Sequence, residues 1–396
     1  MRSLKLSDGQ RPCILTDLAG PKIRITDVLP DFKLEIGQSI TITNENDADE
    51  NHMKVTSGVG FKNVLEGAQI LINDGRIKLE VKDIISTHAL ICETVIGGEI
   101  ELNKGINFPG ITLDAPALTD QDKIDLRLAL EMGADWIALS FVRSAKDLDS
   151  VLAIMDEAGV QRPVMAKIEK WEALNDIGAI TESFDAVMVA RGDLGVEIPA
   201  EQVPLAQKQV IEVADTLGKP VVIATQMLES MVNSQTPTRA EVSDVANAIF
   251  DGVDAILVTG ETAIGKYPVE VISTLNRVIQ QTEKATDVQR TAIPEEVSKT
   301  ADAISHAVCE IAIDLDINAI MTMTHGGSTA KMIARYRPFA NIYALTPFDH
   351  IMRQLQLVWG VTPIQVETYK NMEVIPDICK EAVSYTHLTL PTILLV

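Results

Sequence analysis

A lysine and two acidic residues stand where two apolar segments of this chain end. Lys167 and Glu169 lie two residues apart in AKIEKWEAL, and Asp193 follows the apolar run AVMVA in MVARGDLGVEIP. In an extended strand, side chains two positions apart point to the same face. Two carboxylates on neighbouring strands suit Mg²⁺, which takes one or two carboxylates together with water and substrate oxygens. The spacing therefore predicts a magnesium site beside an ammonium group.

Each of these residues also has a purely structural interpretation. Lys167 and Glu169 could form a plain salt bridge, and Asp193 could cap the turn LGVEIP that follows it. The amides of Gly192 and Asp193 would form a cradle for a carboxylate or phosphate at the start of that turn. Thr225 in ATQM either hydrogen bonds to the same ligand or is a satisfied core residue. Both interpretations stay open at this point.

Two other loops combine glycine with charged or hydroxyl residues. TDLAGPKIR places Asp17, Lys22 and Arg24 after an apolar strand, where the cations either meet an anion or form a solvated face. THGGSTA places glycines and hydroxyls between a strand and a helix, which suits a phosphate or a plain turn with an N-cap. The candidate phosphate-binding residues of this second loop are Thr324, Gly326, Gly327, Ser328 and Thr329.

Short apolar segments that alternate with helix-length amphipathic segments must position these residues. The predicted strands are Pro12–Gly20, Asp135–Phe141, Pro163–Glu169, Asp185–Arg191, Pro220–Gln226 and Asp254–Glu261. Continuous apolar strands alternating with helices predict a parallel sheet covered on both faces. In a barrel of this kind the C-terminal ends of the strands carry the chemistry. The polar residues above lie at those ends.

The pattern divides the chain into domains. Residues 1–25 and 114–285 are predicted to form the barrel, and residues 26–113, with short alternating strands and turn signals, an inserted β domain. Such an insertion is either a lid or a passive appendage. Residues 297–383 predict a small open α/β domain. We interpret the apolar, patternless tail 384–396 as non-native.

Composition narrows the class of protein further. The chain has 396 residues and a formal net charge of −22, without a basic run, which argues against nucleic acid and anionic membranes as partners. Its four cysteines form no Cys-x-x-Cys pair, and no run of about 18 apolar residues occurs. We expect a cytoplasmic protein.

Several segments taken together resemble the pyruvate kinase family. They are KGINFPG, KIEKWEAL, MVARGDLGVEIP, ATQMLESM and PTRAEVSDVANAIFDGVDAILVTGETAIGKYP, in the family's order. The resemblance implies a (β/α)8 TIM barrel with an inserted small β-barrel lid domain and a C-terminal three-layer α/β regulatory domain. It also implies transfer of the phosphoryl group of phosphoenolpyruvate to ADP, giving pyruvate and ATP, with Mg²⁺ or Mn²⁺, in a homotetramer.

The family's functional residues carry over by motif. The resemblance makes Lys167 the catalytic lysine and Glu169 and Asp193 the metal ligands. It makes the amides of Gly192 and Asp193, with Thr225, the site of the substrate carboxylate, and gives Thr225 a part in protonating the enolate.

Further positions match the nucleotide and effector sites. Arg24 and Lys104 match family positions at the nucleotide, and THGGSTA matches the region where sugar phosphates bind in some relatives. Many members read Asp-Thr-Lys-Gly-Pro-Glu where this chain has Asp17-Leu18-Ala19-Gly20-Pro21-Lys22. The hypothesis is that Lys22, beside Asp17, replaces the monovalent cation, so that potassium is not required.

The family also has two strands before Pro12 that carry a substrate-binding arginine and potassium ligands. Without them we expect six barrel strands and exposed sheet edges. We therefore expect the printed chain to be a fragment with little or no activity. Two alternatives are a Mg-dependent lyase or aldolase acting through a pyruvate enolate, and a non-catalytic remnant that binds a phosphorylated metabolite.

Overall fold

The computed structural model describes residues 4–5, 10–29, 31–45, 51–56, 60–113, 116–285, 300–368, 377–378 and 393–395. Strand β1 (Leu15–Asp17) comes first and is followed by the inserted β domain. The strands of that domain are β2 (Ile25–Asp27), β3 (Lys33–Leu34), β4 (Ser39–Thr43), β5 (His52–Val55), β6 (Gln69–Ile72), β7 (Ile77–Ser86), β8 (Ala89–Ile96), β9 (Gly98–Glu99) and β10 (Ile106–Asn107).

The inserted strands alternate apolar and polar residues because only one face of each is covered. In β6, for example, Ile70 and Ile72 are buried, whereas the residues between and before them are more exposed. Seven strands form one sheet in the order β10-β6-β7-β8-β4-β5-β2, and β3 pairs with β9. The apolar side chains of these strands form their own core around Phe61 and Phe108. The insertion therefore has a hydrophobic core separate from that of the barrel.

After the insertion, helices and strands alternate. In chain order they are α1 (Asp120–Glu131), β11 (Trp136–Leu139), α2 (Asp147–Ala158), β12 (Val164–Ile168), α3 (Trp171–Asn175), α4 (Ile177–Ser183), β13 (Ala186–Ala190), α5 (Arg191–Glu197), α6 (Val203–Thr216), β14 (Val221–Ala224), α7 (Arg239–Asp251), β15 (Ala255–Leu257), α8 (Gly260–Ala263) and α9 (Pro268–Ala285). Two 3₁₀ turns lie at Ala200–Gln202 and Glu229–Val232.

The barrel sheet is entirely parallel, with the order β1-β11-β12-β13-β14-β15. Alternate strand residues such as Trp136, Met165 and Met188 fill the space inside the curved sheet. The residues between them pack against the surrounding helices. Both faces are therefore covered, which is why these strands are continuously apolar. The sheet has six strands, and among the described residues its outer strands β1 and β15 do not pair with each other.

The observed strands are shorter than the predicted ones because the chain turns out of the sheet at its C-terminal edge. Phe141 and Thr225, both assigned to strands from the sequence, have positive φ angles of 55° and 68°. Such angles are incompatible with a continuing strand. The polar residues at the strand ends therefore lie on loops and helix starts at one edge of the sheet, called the rim below.

The C-terminal domain contains α10 (Thr300–Asp314), β16 (Ala319–Met323), α11 (Ser328–Ala334), β17 (Asn341–Thr346), α12 (Asp349–Gln354), a 3₁₀ turn (Leu355–Leu357), β18 (Val361–Gln365) and β19 (Ile393–Leu395). Its four strands are parallel, in the order β18-β17-β16-β19. β19 comes from the tail interpreted above as non-native; the rest of that tail and residues 286–299, between the barrel and the C-terminal domain, lie outside the described residues.

The C-terminal domain packs against the barrel at the end opposite the rim. Arg353 Nε donates to Asp135 Oδ1 at 2.8 Å, and Trp136 Nε1 donates to the Gln354 carbonyl at 3.2 Å. The amide of Trp359 donates to Asp254 Oδ1 at 3.0 Å. Asp135 and Asp254 each precede a barrel strand, so these contacts lie at the N-terminal ends of the strands. Among the described residues, no helix is both long and apolar enough to cross a membrane.

Candidate active site

Lys167 and Glu169 lie at the rim, at the C-terminal end of strand β12. Met165 points into the barrel interior, and the period of two places Lys167 and Glu169 on the same side of the strand. β12 pairs in parallel with β13, which leads directly into α5 and Asp193. Adjacent parallel strands thus bring the three predicted residues to one edge of the sheet.

The Lys167 ammonium is the centre of a polar cluster. Its Nζ donates to Ser140 Oγ at 2.7 Å and to Asp17 Oδ2 at 3.0 Å, and lies 3.1 Å from Glu169 Oε1. Burial alone lowers the pKa of Lys167, but the charges of Glu169 and Asp17 outweigh burial and raise it. Lys167 is therefore a fixed positive charge rather than a proton donor near neutral pH.

The Glu169 carboxylate is 1% exposed. Its Oε2 accepts a hydrogen bond from the Phe141 amide at 2.8 Å, while Oε1 faces Lys167. Burial raises the pKa of Glu169, and the nearby charge of Asp193 raises it further, against the opposing effect of Lys167. A buried carboxylate with a second carboxylate beside it is stabilised by an added cation.

Asp193 lies in the first turn of α5, and its Oδ1 accepts from Lys22 Nζ at 2.5 Å. The expectation that Asp193 caps this helix is wrong, because the cap position falls on Ala190 and makes no side-chain cap hydrogen bond. Lys22 also lies 5.9 Å from the centre of the Phe141 ring. Of the two residues proposed to substitute for the monovalent cation, Lys22 contacts Asp193, whereas Asp17 pairs with Lys167.

The donor set fits a hard divalent cation. Glu169 and Asp193 offer carboxylate oxygens, which Mg²⁺ and Mn²⁺ prefer. Among the residues that the structure describes, no group of three or more His, Cys, Asp or Glu side chains is arranged to hold a metal. An ion here would therefore depend on two carboxylates, with the rest of its ligands from water and substrate, which is the usual pattern for Mg²⁺.

Thr225 is held next to Gly192 in a strained conformation. Its Oγ1 accepts from the Gly192 amide at 2.8 Å and donates to the Ala224 carbonyl at 2.6 Å. Arg191 Nη2 donates to the Thr225 carbonyl at 3.1 Å, and Arg191 Nη1 is bound to Asp244 at 2.8 Å. A β-branched residue with φ of 68° is unusual and occurs where surrounding contacts fix the backbone. The Gly192 amide predicted to hold an anion is thus bonded to the Thr225 hydroxyl.

The two residues predicted at the nucleotide lie together on the inserted domain. Arg24 forms an antiparallel bridge with Gly105, next to Lys104. Arg24 Nη1 donates to the Asn103 carbonyl at 2.9 Å, and Lys104 Nζ lies 3.1 Å from Glu101. Arg24 precedes the first strand of the insertion and Lys104 precedes its last strand, so both cations lie near the place where the insertion meets the barrel.

The predicted phosphate loop lies in the C-terminal domain, between β16 and α11. Thr324 Oγ1 accepts from the Gly327 amide at 2.8 Å. Gly327 occupies the N-cap position with φ of 82°, and a Cβ there would lie 3.0 Å from Leu355. Gly326 precedes it, and Ser328 and Thr329 begin the helix. The loop is a turn closed by its own threonine, and its ligand stays a prediction.

Three contributors to the site were given no role by the sequence analysis. Ser140 binds Lys167, the Phe141 amide binds Glu169, and Arg191 fixes the Thr225 turn. Ser140 and Arg191 stand at the ends of predicted strands, so their position could have identified them. The role of the Phe141 amide depends on a positive φ that no residue type signals.

A parallel α/β barrel with a lysine and two carboxylates at its C-terminal rim has the layout of the α/β-barrel enzymes. Comparison with known proteins makes the class specific. The family description "Pyruvate kinase, barrel domain" matches residues 1–272, and "Pyruvate kinase, alpha/beta domain" matches residues 302–389. The chain belongs to the pyruvate kinase family.

Individual relatives agree with this assignment. Pyruvate kinase 2 of Synechocystis sp. is 45% identical over 377 residues, covering 92% of this chain and 63% of the relative. A pyruvate kinase of Agrobacterium vitis is 40% identical over 400 residues, covering 99% and 82%. A crystal structure of a pyruvate kinase from Cryptosporidium parvum superposes with a TM-score of 0.89 at 32% identity, covering 97% of this chain and 81% of that one. The chain thus spans less than two thirds of the Synechocystis relative.

Proposed function

We propose that this protein transfers the phosphoryl group of phosphoenolpyruvate to ADP, giving pyruvate and ATP. The observation that carries the proposal is the cluster of Lys167, Glu169 and Asp193 at the barrel rim, which combines a fixed ammonium with two carboxylates. Phosphoryl transfer requires positioning and positive charge more than covalent chemistry. The reaction itself is inferred from the family, and the cluster accounts for the positive charge that the reaction requires.

Each residue of the cluster has a distinct part in this reaction. A divalent ion bound by Glu169 and Asp193 would neutralise charge on the phosphoryl and enolate oxygens. Lys167, held by Ser140 and Asp17, presents an ammonium to the oxygens on which negative charge develops. The mutual contacts of the cluster fix the ammonium before substrate binds, so little reorganisation is needed.

The remaining predicted residues bind and orient the substrates. The amides of Gly192 and Asp193 would bind the carboxylate of phosphoenolpyruvate, with Thr225 turning its hydroxyl from the Gly192 amide to the substrate. The same hydroxyl would help deliver a proton to the enolate. Arg24 and Lys104 would bind the phosphates of ADP, which accounts for their cations at the base of the insertion. A lyase or aldolase acting on an enolate would not need that pair.

Lys22 supports a reaction that does not require potassium. Its ammonium lies 2.5 Å from Asp193 Oδ1 and therefore places a fixed positive charge at the rim. We expect activity in buffers without monovalent metal ions. Lys22→Glu, which restores the family's commoner residue, should reduce activity in such buffers and partly regain it on adding potassium. A potassium requirement of the unmodified protein would contradict this proposal.

The test of the proposed function is pyruvate formation from phosphoenolpyruvate that depends on ADP and Mg²⁺. The assay compares this chain with a longer version to which the two N-terminal strands expected from the family have been added. Lys167→Met should abolish turnover, whereas Lys123→Met, which removes an exposed lysine paired with Asp120, should leave it unchanged. Pyruvate formation without ADP would favour a lyase, and no turnover by either protein would refute the proposal.

The family assignment also suggests where and how the protein works. We propose a homotetramer in the cytoplasm, with phosphoenolpyruvate and ADP as its only obligatory partners and THGGSTA as the loop for a phosphorylated effector. Analytical ultracentrifugation of the same two proteins would test the assembly. A monomer at micromolar concentration in both would contradict it.

A further inference from the structure

Two carboxylates outside the metal pair, the buried Glu197 and the partly buried Glu172, hold the segment by which the inserted domain returns to the barrel. Glu197 Oε1 accepts from Asn107 Nδ2 at 3.2 Å and from Lys170 Nζ at 2.6 Å. Glu172 Oε1 accepts from the Thr112 hydroxyl at 2.8 Å. Asn107 belongs to β10, the last strand of the insertion, and Thr112 lies in the return segment after it. These contacts join the base of the insertion to two helices of the barrel rim.

Each of these side chains keeps one buried carboxylate oxygen without a hydrogen bond among the described residues. The Glu197 side chain is fully buried, and its Oε2 has no hydrogen-bond partner among the described residues. Glu172 Oε2 is likewise buried without one. A buried carboxylate is unfavourable unless its charge is compensated, and a neutral side chain would fill the same space with less penalty. Retaining two carboxylates here indicates a role beyond packing.

The two carboxylates belong to the same short helices that position the candidate metal ligands. Asp193 lies in the first turn of α5, and Glu197 is its last residue. Glu169 lies just before α3, and Glu172 is in its first turn. A movement of the return segment that shifts either helix would therefore displace the metal ligand that lies on that helix or just before it. Short helices transmit such shifts because they move as rigid bodies.

The first connection to the insertion is tied to the same helix. Lys22, which lies between β1 and the insertion, binds Asp193. The space between the two connections is a cleft open to solvent with a volume of about 40 Å³, lined among others by Lys22, Phe108, Phe141 and Lys170. An open space beside the junction leaves room for the insertion to rotate against the barrel. A rotation of the insertion would therefore change its contacts to α3 and α5.

We propose that Glu172 and Glu197 are positioning residues: with Thr112 and Asn107 they form a clasp that couples the orientation of the inserted domain to the carboxylates of the metal pair. The inference rests on the proposed function, since it assumes that Glu169 and Asp193 bind a divalent ion. Coupling of this kind is reciprocal: if the clasp strengthens binding of the ion, an ion bound at the rim must stabilise the contacts of the clasp by the same factor.

Hydrogen exchange of residues 106–112, measured by mass spectrometry with and without Mn²⁺, tests the clasp. In the unmodified protein, saturating Mn²⁺ should slow exchange of this segment by about fivefold or more, the lower end of ordinary coupling between sites. Thr112→Val and Glu197→Gln should lose most of this slowing while still binding Mn²⁺, and they should bind it more weakly. Thr216→Val, which removes an exposed hydroxyl bonded within α6, is the matched control and should behave as the unmodified protein does.

The outcomes separate this inference from the proposed function. Equal slowing by Mn²⁺ in Thr112→Val and the unmodified protein would overturn the clasp and leave the proposed function standing. Absence of Mn²⁺ binding to the unmodified protein would refute both. Thr112→Val keeps the shape of the side chain at an exposed position, so it remains informative even where Glu197→Gln fails to fold. A lower kcat with an unchanged KM for phosphoenolpyruvate in the folded variants would add support, because uniform loss of substrate binding would change KM instead.

Discussion

Replacing Lys167 with methionine should harm the protein in two separable ways. The ammonium lies 3.1 Å from Glu169 Oε1, and at an effective dielectric constant near 20 two unit charges at that distance attract by about 5 kcal/mol. The Asp17 side chain is half exposed, so its attraction to Lys167 is screened and adds little. A similar attraction to the phosphoryl group being transferred corresponds to about four powers of ten in rate. We expect kcat of Lys167→Met to fall by roughly that factor.

The stability of Lys167→Met should fall as well, for a different reason. Glu169 is 1% exposed and would lose the cation that compensates it. Removing one partner of a buried pair typically costs about 3–5 kcal/mol. Adding Glu169→Gln to Lys167→Met should recover most of that loss without recovering any activity, because the orphaned charge is gone but the site is not restored.

Urea unfolding and a steady-state assay of Lys167→Met, the double variant and Lys167→Arg test this reasoning. Lys167→Arg is the control, since it keeps the charge and should keep most of the stability while losing activity through its different geometry. Activity of Lys167→Met within tenfold of the unmodified protein would refute the role of Lys167 in phosphoryl transfer. A double variant no more stable than Lys167→Met would refute the electrostatic account of the pair.

Three further predictions concern the packing around the site and between the domains. Burial raises the pKa of Asp215 from 3.8 to about 6, so the folded protein binds this proton more tightly than the unfolded chain does. The carboxylate therefore destabilises the fold as pH rises through that range, and Asp215→Asn should raise the free energy of unfolding in urea by up to about 3 kcal/mol at pH 8 and by nothing near pH 3.5. An equal gain at both pH values would contradict this assignment. Gly20→Ala should lower the free energy of unfolding by about 2–4 kcal/mol, because φ is 71° and the new Cβ would lie 2.7 Å from the Phe141 ring. Gly159→Ala, where φ is 64° and the surrounding space is open, should lower it by about 1 kcal/mol. Equal losses in the two variants would refute the steric argument. Burial raises the pKa of the Cys92 thiol to about 12, so thiol reagents at pH 8 should modify Cys92 only after the protein unfolds. Rapid modification of the native protein, detected by mass spectrometry, would contradict the buried position.

The sequence predicted the parts of the site that follow from strand periodicity. Lys167 and Glu169 share a face because they are two residues apart in a strand, and Asp193 joins them because parallel strands end at the same edge. The alternation of apolar strands and helices likewise predicted the barrel and the separate insertion. These features depend on neighbours in sequence or on one regular repeat, which is why residue types reveal them.

Contacts that depend on irregular backbone could not be predicted in the same way. The Phe141 amide reaches Glu169, and the Thr225 hydroxyl reaches the Gly192 amide, only because Phe141 and Thr225 adopt positive φ angles. Residues of these types rarely adopt such angles, so the surrounding packing decides the conformation. The contact of Lys22 with Asp193 could not be predicted either, because a flexible side chain near two carboxylates gives no local signal for which one it binds.

The most direct test of the account is a calorimetric titration of the protein with Mn²⁺. Glu169 and Asp193 should bind one ion together, so Glu169→Gln and Asp193→Asn should each weaken binding by at least the roughly tenfold that loss of an outer-shell partner costs. Asp120→Asn, which changes an exposed carboxylate, should leave binding unaltered. Unchanged Mn²⁺ affinity in Glu169→Gln and Asp193→Asn would contradict the claim that these two carboxylates share a metal ion beside Lys167.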